Sequence, residues 1–211
     1  MDAWRAQATP AVKPFAPAAE RNTAPILAVL SPAFAEIHRV LEVGSGTGQH
    51  AVAFAAALPH LHWTTADQRP YHAGIKAWLA EAGLPNLGGP LPLEIGVDAF
   101  PPGPFDAVYT ANTLHYMPWS AVEQLMAALP TLLRPGGLLV VYGPFREGGR
   151  FVSANDPGFD AQLRAGAAYR GLRDVEAVEA LASSAGLRRV ATHKMPADNQ
   201  CLIWQRQETP T

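Results

Sequence analysis

The sequence predicts a single α/β domain, an open and mostly parallel sheet with helices on both faces. Short apolar, β-prone runs alternate with longer stretches of helical spacing along most of the chain. The first such run passes through three glycines at alternate positions directly into a helix, between Leu41 and His50. The 211 residues, 48% hydrophobic and 16% charged, are enough for one compact core.

Residues 1–24 are rich in Ala and Pro, with Pro10, Pro14 and Pro17 restricting them to extended or turn conformations. This stretch reads as an N-terminal arm, and residues 25–211 as the domain. The arm ends in Glu20-Arg21-Asn22 ahead of Thr23, a helix N-cap candidate, and Pro25. Those polar residues are either a solvated helix entry or a flap over the site that brings Arg21 or Asn22 to a substrate. Ile26, Leu27, Leu30, Phe34 and Ile37 recur at helical spacing, with a break possible at Pro32.

The strand Val40 to Val43 leads into Gly44-Ser45-Gly46-Thr47-Gly48 and then into helix formers closed by Pro59. Glycine lets the loop bend sharply and lets a ligand approach the backbone, while the free N–H groups of the helix start point into the same space. A dinucleotide fingerprint would carry its third glycine at position 49, where this chain has Gln49, so a pyrophosphate cradle and a dinucleotide oxidoreductase are disfavoured. Glu42, two residues before Gly44, can accept hydrogen bonds from an ammonium or from the loop. Leu61 to Ala66 forms a second strand ending at Asp67, where a carboxylate can take both hydroxyls of a ribose. Glu42, Gly44, Gly46, Gly48 and Asp67 together resemble the S-adenosylmethionine site of class I methyltransferases.

Tyr71 to Ala82 reads as a crossover helix stopped by Gly83, and Leu91 to Ile95 as a short third strand ending at Gly96. Asp98 follows, either a turn residue ahead of Pro101 or an acid for an adenine amine. A fourth strand, Phe105 to Asn112, leads into His115 and Tyr116. Ligands of open α/β sheets bind beyond the carboxyl ends of the strands, which makes Asn112, His115 and Tyr116 site candidates. After a helix over residues 121–133, Pro135-Gly136-Gly137 turns the chain into a fifth strand ending at Tyr142. The loop behind it carries Arg146 and Arg150, either solvated charges or guanidinium forks for a carboxylate or phosphate. Residues 154–173 suggest a short helix over the site. Asp174 is the expected cap of a helix that Gly186 stops, and a closing strand pair, 187–195 and 200–206, completes the chain.

The net charge of -2 advertises neither nucleic acid nor an anionic membrane. The single cysteine, Cys201, precludes an internal disulfide and reads as a buried thiol; no residue set has metal-ligand spacing. With no signal-peptide core and no transmembrane stretch, the expectation is a cytoplasmic monomer or homodimer acting on a small molecule.

Larger stretches are similar to the methyltransferase-like protein 26 family: Pro17 to Asn22, Gly44 to His50, Ala111-Asn112-Thr113-Leu114-His115, Tyr142-Gly143-Pro144-Phe145 through Arg150, and Met195-Pro196-Ala197-Asp198-Asn199. The resemblance implies a Rossmann-like class I methyltransferase fold with a seven-stranded sheet and S-adenosylmethionine as cofactor. It also raises Glu20, Arg21, Asn22 and Asn199 as site elements. Such relatives usually read Leu-Asp-Val at the end of the third strand, where this chain has Ile95-Gly96-Val97, so its adenine contacts differ. The function expected is methyl transfer to a small acceptor, anionic molecules among the candidates. His115 would serve as base, Tyr116 and Tyr142 as orienting groups, and Arg21, Asn22, Arg146, Arg150 and Asn199 as substrate contacts. The alternative is a non-catalytic module that binds S-adenosylmethionine or S-adenosylhomocysteine.

Overall fold

The computed structural model describes residues 13–208. The elements run α1 (Pro17–Ala33), β1 (Arg39–Val43), α2 (Gln49–Ala57), β2 (His62–Asp67), α3 (His72–Ala82), β3 (Leu87–Pro92), β4 (Phe105–Ala111), α4 (Trp119–Leu132) and β5 (Leu133–Gly143). They continue with β6 (Phe145–Glu147), β7 (Arg150–Phe151), α5 (Asp156–Gly166), β8 (Arg173–Asp174), α6 (Val175–Ser184), β9 (Leu187–Lys194) and β10 (Gln200–Arg206). The main sheet has seven strands in the order β3-β2-β1-β4-β5-β10-β9, and a small three-stranded sheet has the order β7-β6-β8. Pairing is parallel from β3 to β5, and β10 runs antiparallel to both β5 and β9. This is the mostly parallel seven-stranded α/β fold that the sequence predicts.

Period-two alternation divides the strands between two cores. Leu41, Val108, Leu139, Val141, Leu202 and Trp204 pack on the side of α4 and α6. Val40, Ala107, Tyr109, Val140, Tyr142, Cys201 and Ile203 pack on the other side, under Ile26, Leu30 and Phe34 of α1 and Ala51 and Phe54 of α2. Parity therefore sets Glu42 on the same face as Val40, and its neighbour there is Trp63.

Three local expectations are corrected. Residues 17–24 are helix rather than extended arm: Pro17 stands in the first turn, where its missing N–H costs nothing, and Thr23, inside α1, donates its hydroxyl to Ala19 O (2.8 Å) instead of capping. Pro25 and Pro32 are both accommodated within α1. Residues 1–12 of the expected arm lie outside the described residues. The third strand spans Leu87–Pro92, not Leu91 to Ile95. Gly88-Gly89-Pro90 reads as a breaker, yet an edge strand has one hydrogen-bonded neighbour and tolerates proline, with a register shift against Thr64 to Ala66. Asp174 stands at the N-cap position of α6, but its carboxylate caps nothing; it accepts from Arg146 Nη2 (2.6 Å) and Gly149 N (2.8 Å).

Candidate functional site

The glycine loop sits at the carboxyl end of β1, beside the end of β2. Gly44, Gly46 and Gly48 all have left-handed φ (77°, 60° and 90°), a region closed to most side chains. Gly44 N and Ser45 N donate to Ala66 O (2.9 and 3.3 Å), locking the loop to β2, and Gly46 N donates to Asp67 Oδ2 (2.6 Å). At Gly44 space matters as well as φ, because a Cβ there would stand 2.5 Å from Thr113 Cγ2. Backbone alone can occupy that corner.

A cavity of about 740 Å³ opens over this loop. Its floor is Glu42, Gly44, Ser45, Gly46 and Asp67; one wall is Pro14, Ala16, Ala18, Ala19 and His50; another is Leu93, Glu94 and Ile95 after β3. Asn112, Thr113, Tyr116 and Met117 after β4, with Tyr169 and Arg170 behind α5, complete it. The position, beyond the carboxyl ends of neighbouring strands, is the one that open α/β sheets offer ligands.

Two buried carboxylates give the floor its electrostatics. Glu42, 2% exposed, accepts a hydrogen bond from Trp63 Nε1 (3.1 Å). Burial pushes its pKa from 4.5 up to about 7; hydrogen bonds from Trp63 and Ser45 oppose the rise and the Asp67 charge adds to it. Asp67 is likewise raised by burial, countered by the N–H groups of Gly46 and Gln68. No cationic side chain of the protein pairs with either carboxylate among the described residues.

The wall over the loop is tied to α2. Gln49 Oε1 accepts from Ala16 N (2.6 Å), and His50 Nε2 lies 3.0 Å from Ala19 O. That carbonyl only accepts, so Nε2 carries the hydrogen; burial lowers the pKa of this imidazole. Further out, Trp78 Nε1 donates to Pro14 O (2.6 Å), and Lys13 pairs with Glu81 (2.7 Å).

Of the residues expected from sequence, Glu42, Gly44, Gly46, Asp67, Asn112 and Tyr116 line this cavity. Gly48 lies behind it, as the N-cap residue of α2. Asn112 holds φ 53° and donates its N–H to Tyr142 O (2.8 Å), which turns the chain out of β4. The others are elsewhere. Asp98 is gripped bidentately by Arg69 (3.0 and 2.9 Å) and accepts from Glu94 N (2.8 Å); Arg69 holds its carboxyl below the usual range. His115 is buried, packed edge-on to Phe159 and beside Tyr116. Burial, reinforced by Arg173, pushes its pKa down to about 4, which makes it a weak base outside the cavity lining. Tyr142 faces the core under α1 and α2, and burial raises its hydroxyl to about 12.

Arg21 and Arg150 are exposed and Asn22 half-buried, and all three are outside the cavity lining. Arg146 is committed to Asp174, and Asn199 donates to Pro196 O (3.0 Å) in the turn before β10. Conversely, the cavity includes His50, Thr113, Tyr169 and Arg170, which sequence reasoning missed. His50 had a signal, its place directly after the glycine loop. Tyr169 and Arg170 fall in the stretch expected over the site, but no pattern singled them out as contacts, because tertiary bonds bring them in: Gly171 N donates to His115 O (3.0 Å), and Arg173 donates to the carbonyls of Leu114, Met117 and Tyr169.

The fold is of the Rossmann-like methyltransferase kind. The chain belongs to the family described as protein of unknown function (DUF938), which it matches over residues 13–206. Among similar solved structures is the S-adenosylmethionine-dependent methyltransferase SibL in its apo form, 25% identical, with a TM-score of 0.75, covering 90% of this chain and 56% of that one. An O-methyltransferase family protein from Burkholderia thailandensis is 19% identical, with a TM-score of 0.79 over 90% of this chain and 57% of its own. Human N-acetylserotonin methyltransferase in complex with S-adenosylmethionine is 18% identical, with a TM-score of 0.73 over 89% and 52%. This chain thus spans little more than half the length of the solved structures it resembles, and at the lower identities the likeness is one of fold.

Proposed function

We propose that this protein binds S-adenosylmethionine over the glycine loop and transfers its methyl group to a small acceptor. The observation that carries the reading is the pair of buried carboxylates, Glu42 and Asp67, flanking a backbone-only corner at Gly44 in one cavity. Glu42 fits an amino-acid ammonium, because the described protein offers this buried acid hydrogen bonds but no counter-charge. Asp67, at the end of β2, fits the two ribose hydroxyls, and Leu93, Ile95 and Met117 offer an apolar bed for the adenine ring. The resemblance to the methyltransferase-like protein 26 family points the same way.

When bound, the cofactor supplies an activated methyl on a sulfonium that is its own leaving group. The protein's contribution is then alignment and exclusion of water, which in favourable cases removes several kcal/mol from a barrier. Tyr116 and Asn112 stand on the acceptor side. His115 is not assigned the proton. The second reading, a non-catalytic S-adenosylmethionine or S-adenosylhomocysteine binder, draws on the withdrawal of His115 and Tyr142 from the cavity.

Thermal unfolding with S-adenosylmethionine, S-adenosylhomocysteine and NAD tests the cofactor. A ligand at about 100 times its Kd stabilises the folded state by about 2.7 kcal/mol. The first two should raise the Tm and NAD should not; no response to either sulfur compound overturns the proposal.

A further inference from the structure

Arg146, Arg164, Arg170 and Arg173 stand on the segment that runs from β6 to β8, and three of the four are spoken for. Arg146 and Arg164 hold Asp174 and Asp160, each at 2.6 Å, and Arg173 donates to three backbone carbonyls. Arg170 differs. It lines the cavity, and no carboxylate pairs with it among the described residues, whereas its buried Nε, like that of Arg146, has no hydrogen-bond partner. Its Cζ lies 5.4 Å from the Tyr116 ring centroid and 5.9 Å from that of Tyr169. Both rings also line the cavity and are large exposed apolar surfaces, at 46% and 51%.

We propose that Arg170 selects the methyl acceptor by binding an oxyanion, carboxylate or phosphate, on a small planar molecule whose ring lies against Tyr116 and Tyr169. The proposal rests on the methyl-transfer reading. A half-buried guanidinium without a carboxylate partner gains from a ligand that supplies acceptors, and its planar fork fits oxyanions bidentately. Exposed tyrosines offer flat apolar contact at low entropic cost. Charge is segregated along the cavity: the acids Glu42, Asp67 and Glu94 stand at or after the ends of β1, β2 and β3, while Arg170 stands past the end of β4. An oxyanion at Arg170 is therefore held apart from the carboxylates that would repel it, while the ammonium sits beside them. The arginine is also firmly placed, since the backbone beside it is bonded to the turn after β4 through Gly171 N and His115 O.

The test is calorimetric titration of para-hydroxybenzoate, phenyl phosphate and para-hydroxybenzyl alcohol into protein saturated with S-adenosylhomocysteine. At least one anion should bind about tenfold or more tighter than the neutral alcohol, as a charge-assisted hydrogen bond implies. Which anion wins distinguishes a carboxylate from a phosphate. Arg170→Gln should erase the preference, Arg170→Lys should retain part of it, and Arg150→Gln should keep it whole. Equal binding of anions and alcohol, a preference that survives Arg170→Gln, or one lost in Arg150→Gln overturns the proposal. Titration of S-adenosylhomocysteine alone comes first. If it fails, the methyl-transfer reading falls by itself, and the same probes titrated into ligand-free protein still decide the anion site.

Discussion

Replacing Glu42 by Gln separates the chemistry of the cavity floor from its packing. In the folded protein Glu42 holds its proton up to about pH 7, while in the unfolded chain it releases it near 4.5. Between those values the folded state binds more protons, so this group costs stability as pH rises through the window. Below 4.5 it contributes no penalty. At 1.36 kcal/mol per pKa unit, the full cost above pH 7 is about 3 kcal/mol. Gln stays neutral at every pH and can keep an oxygen on Trp63 Nε1, the partner that Glu42 now uses at 3.1 Å. Ligand-free Glu42→Gln should therefore match the parent near pH 4.5 and exceed it by about 3 kcal/mol near pH 8, as read by urea denaturation of both proteins at both pH values. The same substitution should abolish the Tm rise with S-adenosylhomocysteine, since the counter-charge for the ammonium is gone. In the parent, affinity for that ligand should fall about tenfold per unit as pH drops below 7, because binding must displace the proton. A stability difference between the two proteins that does not change with pH would refute the reasoning.

Gly44→Ala forces a Cβ into 2.5 Å contact with Thr113 at φ 77°. It should cost about 1 to 3 kcal/mol in chemical denaturation and lose S-adenosylhomocysteine binding by calorimetry; unimpaired binding would mean that the loop does not seat the ligand. His115 gives the opposite pH dependence to Glu42. Its pKa falls from 6.5 in the unfolded chain to about 4 when folded, so its contribution is present above 6.5 and lost as pH drops toward 4. His115→Phe should remove about 3 kcal/mol of acid sensitivity across that window, less any strain from the larger ring, while leaving affinity for S-adenosylhomocysteine within about twofold.

Much of the site was legible because its residues are fixed by local pattern. Glu42 and Asp67 follow from strand parity and from their places at the ends of β1 and β2, and the glycines from the turn between β1 and α2. The residues beyond were misjudged where the sequence shows nearness to a strand end but not direction. Tyr142 ends β5, yet parity puts it with Val140 on the core face under α1 and α2. In Leu114-His115-Tyr116 the turn sends the first two side chains inward and only Tyr116 outward. Arg146 looked free because its partner, Asp174, lies a whole helix and small sheet further along and itself looked like a helix cap. Arg170 lies in a stretch of weak periodicity, and long-range backbone hydrogen bonds, which leave no trace in spacing, deliver it to the cavity.

The wall over the glycine loop is fastened at several points, to α2 through Gln49 and His50 and to α3 through Trp78 and Glu81. The opposite rim, by contrast, ends in two half-exposed tyrosines. The cavity thus has one fastened wall and, across from it, an aromatic rim. If methyl transfer takes place here as proposed, entry over that rim would impose an order of events: the molecule that seats on the loop would pass the aromatic rim before the acceptor closes the way behind it. On the proposed methyl transfer, its spent form would leave only after the methylated product has gone.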